Sequence, residues 1–503
     1  MWCLLSCAML GAQRIVVPSG YKVVDTEGRS ALYEVQTSNG VYTSGPVQLL
    51  DLHGTRSEQG FAFGRMGGRA ALENYEALTG ALIDTKSVVG KLEVAALEVI
   101  LDWQWTHVLS KQVPSTMSDE IAGFGQGCKK AMPQKGHFCE HGAGRIVLLG
   151  NMPGTVSDIV YVLLDELPKP VVQAATALLG GTSLEAFLRS LPWPPAQCSM
   201  WAAWGARTDG GRVFSGRNLD WNENTGINRH KLITVHHPPE AGLVPHAAFG
   251  FGGLLGALAG LSAAGLTVHE ANLESNLDSF KGFPWLLRMR YVMEHSESLE
   301  AAKAVMLSTK NTVGFNHMVA SAKDRSAYVF ETNAKSTAVF GDNDPREAAA
   351  AFVGPGRTIR GAPLSEAVWR TNHGFDQRIV SHYMWNHTQA YNDSDTRYHL
   401  IQSALVTAAT DTHGPVTMNA SVAVGLTALV GQKGPDYAAC SPPFKGGSNV
   451  LSVAFDPTAL TAYAAWEDGA GFGTSPGNWR PAACNAYLQL DLATWFAKNG
   501  TKD

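Results

Sequence analysis

The feature that most constrains this chain is a break at residues 192–198. Pro192-Trp193-Pro194-Pro195-Ala196-Gln197 sets three prolines in four residues directly before Cys198. Proline removes a backbone donor and clashes with a continuing helix, so the helical passage that reaches Leu191 must stop there and the chain must run extended. Upstream of the break the pattern starts β-rich, with short runs at 15–17, 31–35 and 47–52. A helical stretch then follows residues 53–60 as far as Leu82, and a second spans 91–109. Residues 123–154 read as a Gly/Lys/His-rich loop.

Downstream the pattern changes to hairpins. Residues 198–207 form a strand, Thr208-Asp209-Gly210-Gly211 is a turn signal, and 212–221 is the return strand. Residues 232–236 give a third strand. Helices follow at 285–295 and 299–308, a hairpin at 316–331, and another at 449–466 around Pro457. Hairpins interleaved with helices predict an α+β protein, antiparallel sheets covered by helices. Residues 247–266 carry no charge, but six are Gly and six are Ala. That composition predicts a buried strand–turn–strand rather than a membrane span, so no transmembrane segment is expected.

Composition narrows the function classes. Lys and Arg number 39 against 44 Asp and Glu, a formal net charge of −5. No basic excess exists to neutralise phosphates, which argues against nucleic-acid binding. Residues 1–14 are a short apolar stretch ending in small residues, a candidate signal peptide. Sequons fall at Asn386, Asn392, Asn419 and Asn499, predicting a glycoprotein that is secreted or sits in a lysosomal or other endomembrane lumen. Of seven cysteines, Cys128, Cys139, Cys440 and Cys484 remain after two in the candidate signal and Cys198 are set aside. Three connectivities are open, and the Gly/Pro-rich stretches between them favour Cys128–Cys139 and Cys440–Cys484. There is no Gly-x-Ser-x-Gly, Walker loop, His-Glu-x-x-His or Cys/His zinc spacing. Gly-Phe-Gly-Gln-Gly at 123–127 runs into Cys-Lys-Lys rather than a dinucleotide helix. No cofactor or metal site is expected from these patterns.

What remains is Cys198 at the start of a hairpin whose return strand carries Arg217 and Asp220. Residues late in a return strand lie opposite the start of the first, so both side chains reach toward Cys198. Gly216-Arg217-Asn218-Leu219-Asp220-Trp221, the Gly260–Asn272 pair of strands, Thr371-Asn372-His373-Gly374-Phe375 and Thr396-Arg397-Tyr398 follow in order. Together with Cys198-Ser199 they resemble the N-terminal nucleophile (Ntn) hydrolases. The closest likeness is to the C45 branch that includes acyl-coenzyme A:6-aminopenicillanate acyltransferase, then to choloylglycine hydrolases and acid ceramidase.

The resemblance implies a four-layer αββα sandwich and a precursor that cuts itself between Gln197 and Cys198. Residues 15–197 and 198–503 would then form two chains that stay associated. The freed α-amine, with a reference pKa of roughly 7.7–8, would serve as general base beside the thiol. Arg217 would favour the thiolate, Asp220 would orient the α-amine, Asn272 and Asn372 would donate to the oxyanion, and Arg397 would steady the network. Gln197 departs from the small residue such a cut favours, which points to slow, pH-triggered or protease-assisted processing. His269, Glu270 and His373 stand beside these positions as candidates for tuning an acidic optimum. The implied activity is hydrolysis of a linear amide in a small N-acyl or lipid-amide substrate, with acyl transfer where an amine outcompetes water. Alternatives are a phospholipase B-like lipid hydrolase and a non-catalytic lumenal glycoprotein that keeps the fold.

Overall fold

A computed structural model describes residues 15–38, 40–41, 45–150, 167–191, 197–221, 226–354, 357–383, 388–408, 417–431, 440, 448–468 and 480–498. The candidate signal, the proline run 192–196, Asn386 and Asn499 lie outside the described residues. So does the side chain of Asn392, within the helix Thr388–Ala408.

Two large sheets form the centre. One has seven strands in the order Ile15–Val16, Tyr487–Asp491, Thr461–Trp466, Ser448–Asp456, Gly211–Trp221, Gln197–Gly205, Ala367–Arg370. The other has eleven. Its path is Ser336–Phe340, Ser326–Asn333, Phe315–Ser321, Leu266–Asn272, Ala259–Ser262, His246–Phe251, Lys231–His236, Val47–Leu52, Ser30–Thr37 and Gly20–Glu27, with Gly40–Val41 also paired to Ser30–Thr37. The hairpins read from alternation and turn residues are all present. In the first of them, Gly210 and Gly211 take φ of +65° and +69°, a conformation that an L side chain strains to adopt.

The sheets face each other. Ser215 and Thr267 hydroxyls meet at 2.9 Å, Trp466 Nε1 donates to the Gly250 carbonyl at 3.2 Å, and the Phe249 and Phe455 rings pack edge to face. Alternate residues point outward. Trp201 Nε1 and Asn218 Nδ2 reach the helix Ala420–Gly431, at Thr427 Oγ1 and the Thr427 carbonyl. That helix is buried from Val422 to Gly431, as expected of one with few polar residues on any face. The helices Trp285–His295 and Leu299–Ser308 cover the other sheet. The layering is helix, sheet, sheet, helix, as expected. Residues 247–266 are strands and turns, and no helix among the described residues is long and apolar enough to cross a membrane.

One expectation fails. Residues 123–154 are not a loop through their described part: they hold the end of the helix Ser115–Ala131 and the helix Gly136–Gly150. The glycines that suggested a loop are a packing seam. A Cβ on Gly127 would fall 1.9 Å from the Phe61 carbonyl oxygen, and one on Gly60 the same distance from that of Glu120. Glycine here lets Ser115–Ala131 press its backbone against Arg56–Leu82. The latter starts from a capping box between Thr55 and Glu58. The disulfide Cys128–Cys139 ties the two helices of 123–154 together, and Cys440–Cys484 is the second pair, both as expected.

The segments before and after Cys198 are interwoven. Among the described ladders only two are parallel, Ile15–Val16 with Tyr487–Asp491 and Val47–Leu52 with Lys231–His236. Each joins an upstream strand to a downstream one. Buried charge crosses the same divide. Arg56 pairs with Glu240 at 2.8 Å and with Glu294, and Arg290 grips Glu120 through two bonds of 2.8 and 2.5 Å.

Candidate functional site

Cys198 is the second residue of the strand Gln197–Gly205 and is 1% exposed. It faces the gap between the sheets, and the ladder sets it opposite Leu219, with Gln197 opposite Asp220. From the neighbouring strand Arg217 Nη2 donates toward Cys198 Sγ at 3.5 Å, as the hairpin geometry predicts. The same guanidinium holds the Glu270 carboxylate and, through Nε, the Glu270 carbonyl at 3.1 Å. Glu270 Oε2 lies 4.0 Å from Sγ. Glu270, expected only as a tuning group, is thus in contact with both the thiol and its arginine.

The backbone of Cys198 is held as closely as its side chain. Its N–H donates to Asn372 Oδ1 at 2.9 Å, and Arg397 Nη1 donates to its carbonyl. Arg397 also reaches Asn372 Oδ1 at 2.8 Å and is anchored by Asp393 at 2.7 Å. Asn372 Nδ2 donates to the Asn272 carbonyl at 2.7 Å. In this uncleaved chain, therefore, Asn372 accepts from the Cys198 nitrogen, and its own donor is engaged elsewhere. Asn272 is buried with Oδ1 unpaired among the described residues, and its backbone N–H faces the Cys198 sulfur. Asp220 is buried, accepts from Asn449 Nδ2 at 2.8 Å, and lies close enough to act on both Cys198 and Arg397. Arg397 sits inside the helix Thr388–Ala408.

Electrostatics sort these groups. Burial pushes the Cys198 thiol up to about 12, and Glu270 adds to that rise. Arg217 pulls the other way, as expected, but is outweighed. Burial likewise lifts Glu270 to about 7 against the opposing pull of Arg217. His269 and His373 are both fully buried and held down to about 3, so neither changes charge in the mildly acidic range. Of the three candidate tuning groups, Glu270 alone titrates there.

Two supporting residues carried no sequence signal. Ser394 Oγ accepts from the Asn372 N–H at 2.8 Å and meets His373 Nδ1 at 2.8 Å. Tyr383 donates its hydroxyl to the Asn372 carbonyl at 2.7 Å. Both act by fixing Asn372, and single residues with that role leave no spacing pattern to find. Gly374 has a visible reason: a Cβ there would fall 2.7 Å from Glu331 Oε2.

Residues 206–413 match the acyl-coenzyme A:6-aminopenicillanic acid acyl-transferase family. The match begins after Cys198 and takes in Arg217, Asp220, Asn272, Asn372 and Arg397. No curated protein matches the chain. Among solved structures, a Caenorhabditis elegans N-acylethanolamine-hydrolyzing acid amidase ortholog is 14% identical, over 52% of this chain and 93% of its own, with a TM-score of 0.34. A mutant of conjugated bile acid hydrolase from Clostridium perfringens is 11% identical, over 60% and 94%, with a TM-score of 0.34. Penicillin V acylase from Agrobacterium tumefaciens is 15% identical, over 59% and 92%, with a TM-score of 0.32. The segment that carries Arg217 to Arg397 is thus similar to the acyl-coenzyme A:6-aminopenicillanic acid acyl-transferase family, and it is set here on two large, facing sheets.

Proposed function

We propose that this chain is a self-processing cysteine amidase whose nucleophile is Cys198. The observation that carries the reading is the grip on the Cys198 peptide: nitrogen on Asn372, carbonyl on Arg397, thiol beside Arg217 and Glu270. A merely structural buried cysteine needs no such set of polar partners.

The thiol attacks the Gln197 carbonyl carbon. The C–N bond to Cys198 breaks, the thiol proton passes to the departing nitrogen, and a thioester joins Gln197 to the sulfur. Water hydrolyses that thioester and leaves a free thiol and a free α-amine on Cys198. Asn372 Oδ1, already on that nitrogen, and the neighbouring Asp220 then hold the amine. Its ordinary pKa suits it to take the thiol proton in each later cycle. A substrate amide repeats the chemistry: thioester formation expels the amine, and water or an acceptor amine releases the acyl group. Oxyanion stabilisation falls to the N–H donors of Asn272, with Asn372 joining once cleavage rearranges its partners.

Residues 15–197 remain as structure after the cut, because they supply strands to both sheets and buried partners to Arg290 and Glu294. The substrate class is a small N-acyl or lipid amide. A lumenal or secreted setting is part of the same proposal, supported by two disulfides and by an exposed sequon at Asn419. Intact-mass measurement of purified protein tests the reading: wild type resolves into two chains split before Cys198, and Cys198→Ala stays one. A wild-type chain that remains whole, and whose Cys198 an electrophilic acyl probe fails to label, refutes it.

A further inference from the structure

A second cluster of reactive side chains lies outside the Cys198 site. Asp51 and His53 belong to the upstream strand Val47–Leu52 and its continuation, and His237 follows the downstream strand Lys231–His236. The parallel register pairs Leu52 with His236, and His237 N–H donates to the Leu52 carbonyl at 3.1 Å. His53 and His237 therefore stand side by side. Asp51, two residues before His53, shares its face of the strand.

The side chains converge. Asp51 Oδ1 is 3.0 Å from His237 Nε2 and Oδ2 is 3.1 Å from His53 Nε2. The imidazoles stack with centroids 3.9 Å apart and planes 14° from parallel, which aims both Nε2 atoms at one carboxylate. One ligand atom from each residue lies within 4.8 Å of the others. Asp51 and His53 are 3% and 5% exposed, so this is no solvated surface group. The backbone is fixed around it as well. Ser30 Oγ accepts from the His53 N–H at 2.9 Å, and Gln59 Nε2 donates to the His237 carbonyl at 2.6 Å.

From this geometry we infer a divalent transition-metal site, of the kind Zn²⁺ occupies, with Asp51, His53 and His237 as its protein ligands. Imidazole nitrogen and carboxylate oxygen bind Zn²⁺ at roughly 2.0–2.2 Å, which puts adjacent ligand atoms about 3 Å apart. Asp51 stands at that separation from each imidazole nitrogen, through one carboxylate oxygen apiece, and the three ligand atoms lie within 4.8 Å of one another. Two imidazoles and a carboxylate are also the donors that first-row divalent metals take over Ca²⁺ or Mg²⁺. The ligands come from both sides of Cys198 and sit on paired strands, so the metal clips the upstream segment to the downstream one. The site is distinct from the Cys198 chemistry and does not depend on it.

The test uses the full chain, stripped with a chelator and dialysed, then titrated with Zn²⁺ alone against a chromophoric competitor. Wild type binds one Zn²⁺ that the double variant His53→Gln/His237→Gln binds at least tenfold more weakly. Glutamine keeps an N–H for Asp51, and circular dichroism checks that the variant is folded. X-ray absorption at the zinc edge of loaded wild type needs no variant and shows two imidazoles in the first coordination sphere. Absence of a saturable site, unchanged affinity in the folded double variant, or a zinc edge without imidazole overturns the inference and leaves the trio as a hydrogen-bonded cluster.

Discussion

Arg217–Glu270 and Arg370–Glu331 are chemically the same pair, and both are buried almost completely. Their surroundings differ. Glu331 accepts from Arg370 Nε at 2.8 Å and from the N–H groups of Phe375 and Asp376, each at 2.8 Å. Arg370 also pairs with Glu347 at 2.8 Å and lies between the Phe340 and Phe375 rings. Burial works against its charge, yet Glu347 and Glu331 together hold it above the ordinary arginine value. Among the described residues, no backbone amide donates to the Glu270 carboxylate; Arg217 and the Cys198 thiol are its polar neighbours. Burial raises Glu331 too, but a buried carboxylate with a full set of donors is fixed in place and has more partners pulling against that rise. One with a single cation beside a thiol can change charge, and that is a property a site can use.

The largest effect that tests this contrast is at the thiol. Cys198→Ala is expected to abolish chain splitting and to cut amide hydrolysis by at least ~10³-fold, as loss of a nucleophile does elsewhere. Its urea unfolding midpoint stays close to wild type, because alanine removes one sulfur and leaves the backbone bonds to Asn372 and Arg397 in place. Arg370→Met should do the reverse. It strands Glu331 and Glu347 without their cation and should cost about 3–5 kcal/mol in denaturant unfolding. The fraction that folds should still split before Cys198. A processing defect in folded Arg370→Met would erase the distinction between the two pairs. Asn372→Ala falls between: it removes the acceptor on the Cys198 nitrogen and leaves Arg397 short of a partner. Fragment formation followed by gel should slow about 10²-fold.

How much of this was legible depends on how local the signal is. The hairpin 197–221 declared itself through alternation and Asp209-Gly210-Gly211, and the helices Trp285–His295 and Leu299–Ser308 fall where their periodicity ends. That was enough to bring Arg217 and Asp220 to Cys198. The helix Ser115–Ala131 was misread because Gly123 and Gly127 count against a helix by propensity, while the energy comes from the close crossing they permit. The two parallel ladders left no trace. Asp51 and His237 are 186 residues apart, and no window along the chain contains both. Spacing along the chain marks Glu270 only as a neighbour of Asn272. Its contact with the thiol exists because two different sheets face each other, which sequence spacing does not encode.

The smallest predicted effect is the most direct probe of the comparison. Glu270 is lifted from the ordinary carboxylate range to about 7 in the folded chain. A group with a raised folded pKa contributes stability that is fully present below its unfolded value and is lost as pH rises through the folded one. Wild type should therefore lose denaturant resistance between about pH 4.5 and 7. Glu270→Gln should lose the part of that slope that Glu270 supplies, and Glu331→Gln should keep it. The same titration governs the thiol. Ionised Glu270 raises the Cys198 pKa while Arg217 lowers it. Protonating Glu270 removes the unfavourable neighbour and leaves the favourable one. The pH profile of self-cleavage should therefore bend near pH 7, where Glu270 changes charge, and Glu270→Gln should lack that bend. If Glu270→Gln keeps the wild-type pH profile, the under-partnered carboxylate is architecture like Glu331, and the trigger lies in another group.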